Sequence, residues 1–251
     1  MESQQMNLDV IANNLANVNT TGFKKAKIEF QDLLYQTKRA AGAESGPGTQ
    51  VPTSLQVGHG ARPVSTAKIF TAGEIMSTGE RLDLAIHGNG FFKVTLADGT
   101  NAFTRDGGFK LDSTGQIVTS DGLPVTSFAG VTIGPEATNV SISQTGVVSV
   151  TQNGTTSTAG SLVLSRFANP AGLENIGANL YRETPASGTE QTGEPANAGM
   201  GTVQQGYLEL SNVKVVEEMV NLIKAQRAYE INSKAIQAAD EMMSMSNRLR
   251  G

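Results

Sequence analysis

The stretch Ile231-Asn232-Ser233-Lys234-Ala235-Ile236-Gln237-Ala238-Ala239-Asp240-Glu241-Met242-Met243-Ser244-Met245-Ser246-Asn247-Arg248-Leu249 decides how the chain is built. Ile231, Ala235, Ala238, Met242, Met245 and Leu249 alternate at spacings of four and three, the repeat of a coiled-coil seam. Val216, Val220 and Ile223 start the same stripe a turn or two earlier, which predicts one long C-terminal helix. A second row, Leu222, Tyr229, Ile236 and Met243, recurs every seven residues beside the first. The apolar surface is therefore wider than a two-stranded coil requires, and this helix needs more than one neighbour.

At the other end of the chain, Leu8, Ile11, Leu15 and Val18 repeat at three, four and three, flanked by Met6 and Val10. The pattern stops at Asn19-Thr20-Thr21-Gly22, whose glycine suits a helix C-cap. The two terminal helices are expected to lie side by side and antiparallel as a coiled coil, because neither can bury its stripe alone.

Between them the pattern is β-like. From about Gly88, Phe92, Val94 and Leu96 run to Asp98-Gly99, Phe103 to Asp106-Gly107, Phe109 and Leu111 to Asp112 and Gly115, and Ile117 to Asp121-Gly122. Such spacing predicts an antiparallel meander, with glycine supplying the positive φ of tight hairpins. Further strands are expected at Val140 to Ile142, Val147 to Val150 and Leu162 to Phe167. Ala40 to Gly60 is rich in Gly, Ala, Ser, Thr and Pro with weak periodicity, and reads as a long loop or extended arm. The predicted organisation is a mixed α and β fold. Residues 1–35 begin a helical core domain, 36–70 form the arm and 71–195 the β domain. Residues 196–210 form a return linker and 211–251 the second helix, with Ser211 or Asn212 as its cap.

Composition narrows the function. The 251 residues include 38% hydrophobic residues, 28 glycines and no cysteine, so a disulfide framework and thiolate chemistry are excluded. No run approaches the roughly 18 apolar residues of a membrane span, so the chain is not expected to be membrane-inserted. The N-terminus carries no basic-then-apolar secretory signal. Residues 1–40 hold five basic and four acidic side chains, 213–251 hold six and five, and 41–212 hold eight and fourteen. The acidic middle and the balanced helices argue against nucleic acid as a partner. Within the second helix, Lys214 with Glu218 and Glu230 with Lys234 stand four apart, a spacing suited to ion pairs.

Candidate chemistry is sparse. His59 and His87 are the only histidines, too few for a metal site or a triad. Gly88-Asn89-Gly90 precedes a strand instead of opening a helix, so it reads as a tight turn and not as a phosphate loop. Asp98, Asp106, Asp112 and Asp121 are explained by turn chemistry. No catalytic, cofactor-binding or metal residue is assigned. On periodicity alone the helices fit an intramolecular hairpin, a dimer, a polymer or the stalk of a secreted β-domain binding module.

Residues 11–24, from Ile11-Ala12-Asn13-Asn14-Leu15-Ala16-Asn17 through Thr21-Gly22-Phe23-Lys24, closely resemble the N-terminal signature of bacterial flagellar rod and hook proteins. Gln226-Arg227-Ala228-Tyr229-Glu230-Ile231-Asn232-Ser233-Lys234 resembles their C-terminal signature. Ala85-Ile86-His87-Gly88-Asn89-Gly90-Phe91-Phe92 and Phe103-Thr104-Arg105-Asp106-Gly107 look like their shared β domain. Asp32-Leu33-Leu34-Tyr35-Gln36-Thr37, with Leu55-Gln56-Val57-Gly58 and Arg62-Pro63-Val64, looks like the distal rod branch; the hook and proximal rod proteins are the alternatives. The family usually carries about three further helical turns ahead of the position of Met1.

The resemblance implies a subunit that polymerises into a helical tube in the flagellar basal body. It implies passage through the flagellar export apparatus without a cleaved signal, a tube spanning the periplasm, and contacts with the proximal rod, the hook and the surrounding ring bushings. The helical packing residues would then be Leu8, Ile11, Leu15, Val18, Val216, Val220, Ile223, Tyr229, Ile231, Ala235, Ile236, Ala238, Met242, Met245 and Leu249. The arm would touch a neighbouring subunit near Val57, His59 and Arg62.

Overall fold

In the computed structural model, residues 2–248 are described apart from 43, 47, 48, 129, 135, 136 and 153. The chain opens with helix α1, Glu2–Ala16, and closes with helix α2, Val215–Arg248; antiparallel β-structure lies between. It divides into two compact units. One comprises Met1–Asn13, Ala26–Ala67 and Val216–Gly251, the other Asn14–Lys25 and Lys68–Val215.

The first unit holds the helices and a β-ribbon. Ala26–Asp32 pairs with Ala61–Lys68, Tyr35–Arg39 with Leu55–Gly58, and Glu44–Gly46 with Thr49–Gln50. The segment expected as a loop or extended arm is thus a two-stranded hairpin. Tyr35 faces Gly58 and Gln36 faces Val57, with a bulge before Arg39. Weak periodicity hid these strands because they are exposed on both faces, so no apolar alternation is imposed on them. At the base of α1, Ser3 Oγ donates to the Ala61 carbonyl at 2.9 Å. Among the described residues the two helices are not in close backbone contact along their lengths.

The second unit holds the main core, built on Leu84, Ile86, Phe92, Val94, Ala102, Val148, Leu162, Leu164 and Val203, each nearly or fully buried. Phe92–Thr95 and Asn101–Thr104 form the expected hairpin, Phe92 opposite Thr104 and Val94 opposite Ala102, and Gly99 takes φ +81° in its turn. The predicted meander ends there. Asn101–Thr104 takes Leu180–Arg182 as its second neighbour, giving a four-stranded sheet completed by Glu174–Gly177. The chain leaves the sheet after Thr104 because Arg105 turns inward and Gly107 packs so tightly that a Cβ there would lie 1.7 Å from the Leu84 carbonyl oxygen. Lys110–Leu111 and Ile117–Val118 make a separate small hairpin.

Ala137–Ile142, Val147–Gln152 and Thr155–Ser161 form a three-stranded sheet, the last a strand that its Thr-rich composition concealed. The return segment is not a linker. Thr202–Gln205 pairs with Leu84–His87, and Tyr207–Glu209 with Ile75–Ser77. Ser211 and Asn212 do not cap a helix at the expected place: Asn212 accepts from the Lys25 amide at 2.7 Å and donates to the Ile69 carbonyl at 2.7 Å.

Candidate assembly surfaces

In a helix successive side chains turn by about 100°, so the stripe of α2 can be placed around its axis. Val216, Val220, Ile223, Ile231, Ala235, Ala238, Met242 and Met245 share one side and are all exposed, Val216 to 76% and Ile231 to 66%. Leu249 falls outside the described residues. Glu218 and Ala225, on the opposite side, are buried, with Leu222 half-buried between them. The second row starts on that covered side, yet Tyr229 and Ile236 farther along remain exposed. The chain therefore covers one face of the helix root and leaves the seam in water.

Helix α1 behaves differently. Ile11 is buried and Leu8, Leu15 and Val18 are half-buried, so its stripe is engaged within the chain. Its other side, carrying Glu2, Met6, Asp9, Ala12 and Ala16, is exposed. The seam of α2 also has a break: one turn after Ile223 the position belongs to Arg227, and one heptad further to Lys234. Both are exposed. Glu230 and Lys234, the pair expected from their spacing, are both exposed.

The ribbon carries a third surface. Val57, His59 and Arg62 are exposed, and Arg62 donates to Gln31 Oε1 at 3.3 Å. Leu34, Tyr35, Leu55 and Val64 are also largely uncovered, Leu34 to 88%. An exposed apolar run of this kind on a ribbon with two open edges is a candidate contact surface.

What holds the roots of both terminal segments was missed by the sequence reading. Lys24 and Glu209 are fully buried and Arg105 nearly so. Glu209 Oε1 accepts from Lys24 Nζ and from the Gly73 amide, and Oε2 accepts from Arg105 Nε at 3.0 Å. Lys24 Nζ also donates to the Thr71 carbonyl at 2.8 Å, and Arg105 Nη1 to the carbonyls of Gly88 and Gly90 at 2.9 and 2.6 Å. The Gly88-Asn89-Gly90 turn is thus part of a clasp built around Arg105. Burial pushes the Lys24 ammonium below its ordinary range, opposed by the Glu209 charge and reinforced by that of Arg105. Burial likewise pushes the nearby Tyr181 phenol up to about 12. Tyr181 packs edge-on against Phe70 and Phe91. Gly22, at φ +67°, brings the N-terminal motif so close that a Cβ would stand 2.5 Å from the Asp106 amide. The motif residues Gly22, Lys24, Arg105 and Asp106 therefore converge on one node.

No helix among the described residues is long and apolar enough to cross a membrane. Comparison with known proteins bears on these surfaces. Residues 1–24 match the flagella basal body rod protein family, 85–150 the flagellar hook protein FlgE/F/G D1 domain, and 204–249 the C-terminal domain of the flagellar basal body rod FlgEFG proteins. The chain is 50% identical to the flagellar basal-body rod protein FlgG of Borreliella burgdorferi, covering 100% of this chain and 95% of that one. It is 49% identical to FlgG of Buchnera aphidicola from Schizaphis graminum, over 99% and 96%. Identity falls to 37% against the rod protein FlgF of Caulobacter vibrioides, over 94% and 88%. With its two terminal motifs and the intervening β domain all accounted for, the chain belongs to the family of flagellar basal-body rod proteins.

Proposed function

We propose that this chain is a structural subunit of the flagellar distal rod, self-polymerising into a helical tube that transmits motor torque through the periplasm to the hook. The observation that carries this reading is the α2 seam, an apolar stripe broken at Arg227 and Lys234 and standing in water on the side opposite the one that the chain itself covers. Each Ile, Leu or Met buried there on assembly would contribute roughly 1.5–3 kcal/mol. The coiled-coil pairing of terminal helices is then completed between subunits. The charge-balanced helices pack around the tube axis, and the acidic middle faces outward. The proximal rod and the hook meet the ends of the tube, ring bushings surround it, and the flagellar export apparatus delivers the chain without cleaving a signal.

The ribbon packs between neighbouring subunits, with Val57, His59 and Arg62 near the contact, and braces the tube away from its axis. The role is architectural and involves no catalysis, metal or cofactor. Negative-stain microscopy of the purified chain at rising concentration tests the reading: straight filaments or tubes support it, and a chain that stays monomeric and dispersed at the highest attainable concentration overturns it.

A further inference from the structure

The exposed sides of the two helices carry matching heptad rows. On α1, Glu2, Asp9 and Ala16 follow one another at intervals of seven, in the middle of its exposed side. On α2, Val220, Arg227 and Lys234 do the same along the centre of the seam, with Glu241 next in the row. Each interval is about 10.5 Å of helix. A charge inside an apolar seam is costly unless a partner meets it, and Arg227 has Lys224 and Glu230 on its shoulders but no acid in its row until Glu241. Helix α1 supplies two acids and no base.

We propose that α1 of one copy docks antiparallel on the α2 seam of a second copy, placing Asp9 against Arg227, Glu2 against Lys234 and Ala16 against Val220. The orientation follows from the rows. Run antiparallel, both charges meet opposite charges and the small apolar residue meets an apolar one. Run parallel, the acids exchange partners, Glu2 meeting Arg227 and Asp9 meeting Lys234, and Ala16 falls on Glu241. Ala12 and Ala16 allow close approach, and Met6 fills the flank beside Asp9. Within one chain the two helices make no extended backbone contact among the described residues, so the pairing is drawn between copies. The inference rests on the polymer reading and adds its direction and register: a head-to-tail contact between two different faces, the kind that propagates without closing.

Two full-length variants test it, Arg227→Glu/Lys234→Glu and Glu2→Lys/Asp9→Lys. Each alone places like charges against one another and is expected to raise the concentration needed for polymerisation about tenfold or more, with an unchanged far-UV circular dichroism spectrum. Mixed one to one they are expected to co-polymerise, because each offers the face that the other lacks, and this rescue requires contacts between copies. The pairing is overturned if the wild type polymerises while either variant alone does so equally well, or while the mixture fails. A wild-type chain that remains monomeric overturns the polymer reading and the pairing with it. If that monomer instead binds anionic phosphatidylserine vesicles through Arg227 and Lys234, the seam is a membrane face.

Discussion

Lys24 and Glu209 are 185 positions apart in sequence and meet in the interior with Nζ 2.5 Å from Oε1. Arg105 holds the second carboxylate oxygen, so one acid lies between two bases, each also satisfied by backbone carbonyls. Removing the acid alone leaves two buried cations facing each other. Glu209→Gln is expected to destabilise the second unit by about 3–5 kcal/mol, read by urea denaturation. The combined apolar variant Lys24→Met/Arg105→Met/Glu209→Leu is expected to lose much less, since it removes every buried charge at once.

Substitution in the seam separates folding from assembly. Ile231→Asp and Ala238→Asp alter exposed positions, so the chain is expected to keep its circular dichroism spectrum and melting midpoint. In the polymer the same aspartates would be desolvated without a partner, abolishing filaments in sedimentation assays and motility in swarm plates. Normal swimming by these strains would show that the seam is not the assembly core.

Gly22 tests how tightly the N-terminal motif is held. Its φ of +67° and its 2.5 Å approach to the Asp106 backbone leave no room for a side chain. Gly22→Ala is expected to cost at least about 1–3 kcal/mol. Hydrogen exchange at residues 20–25 should rise, while the Phe92–Thr95 and Asn101–Thr104 hairpin stays protected.

The ribbon can be probed at two levels. Deleting residues 42–60 also removes the Leu55–Gly58 strand, leaving Tyr35–Arg39 unpaired. Export and polymerisation should survive, but the rods should be bent or fragile and transmit torque poorly. Val57→Asp with Leu55→Asp is the milder probe, changing two exposed side chains; rods of normal straightness from both strains would reduce the ribbon to a surface hairpin.

Acid titration should single out the Asp112 turn. Its carboxylate accepts from the Thr114 hydroxyl, the Gln116 amide and the Thr114 amide, and these bonds, the Thr114 hydroxyl first among them, hold its pKa below 3.8. A folded value below the unfolded one means that the stabilisation is complete above pH 3.8 and is lost as pH falls through the folded value. Thr114→Val should move the Asp112 titration, followed by carboxyl NMR, back toward 3.8. Asp98→Asn, at an equivalent turn beside Thr100, should be nearly silent at neutral pH.

The sequence made local patterns readable and long-range ones opaque. The helices and the Phe92–Thr104 hairpin were legible because three- and four-residue spacing, alternation and Asp-Gly turns are set within a dozen residues. The clasp was not. Glu209 lies in Tyr207-Leu208-Glu209-Leu210, within the segment expected as a return linker, and nothing local marks it as buried; Lys24 and Arg105 reach it from distant parts of the chain. The ribbon escaped because a strand exposed on both faces has no buried face to impose an alternating pattern. Arg227 was passed over because the stripe is recognised by its apolar members, and a charge at the missing position looks like a gap.

The pairing of Ile75–Ser77 with Tyr207–Glu209 has a mechanical consequence. Ile75 stands opposite Glu209, so the incoming and outgoing strands meet at the same end of the pair, in the geometry of a zipper and not of two ropes sliding past each other. A force drawing the two strands apart would load their hydrogen bonds one at a time from that end. Glu209, gripped by Lys24, Arg105 and the Gly73 amide, sits at that mouth and acts as its pin. The charge cluster most expensive to bury is therefore placed where the first bond would otherwise open.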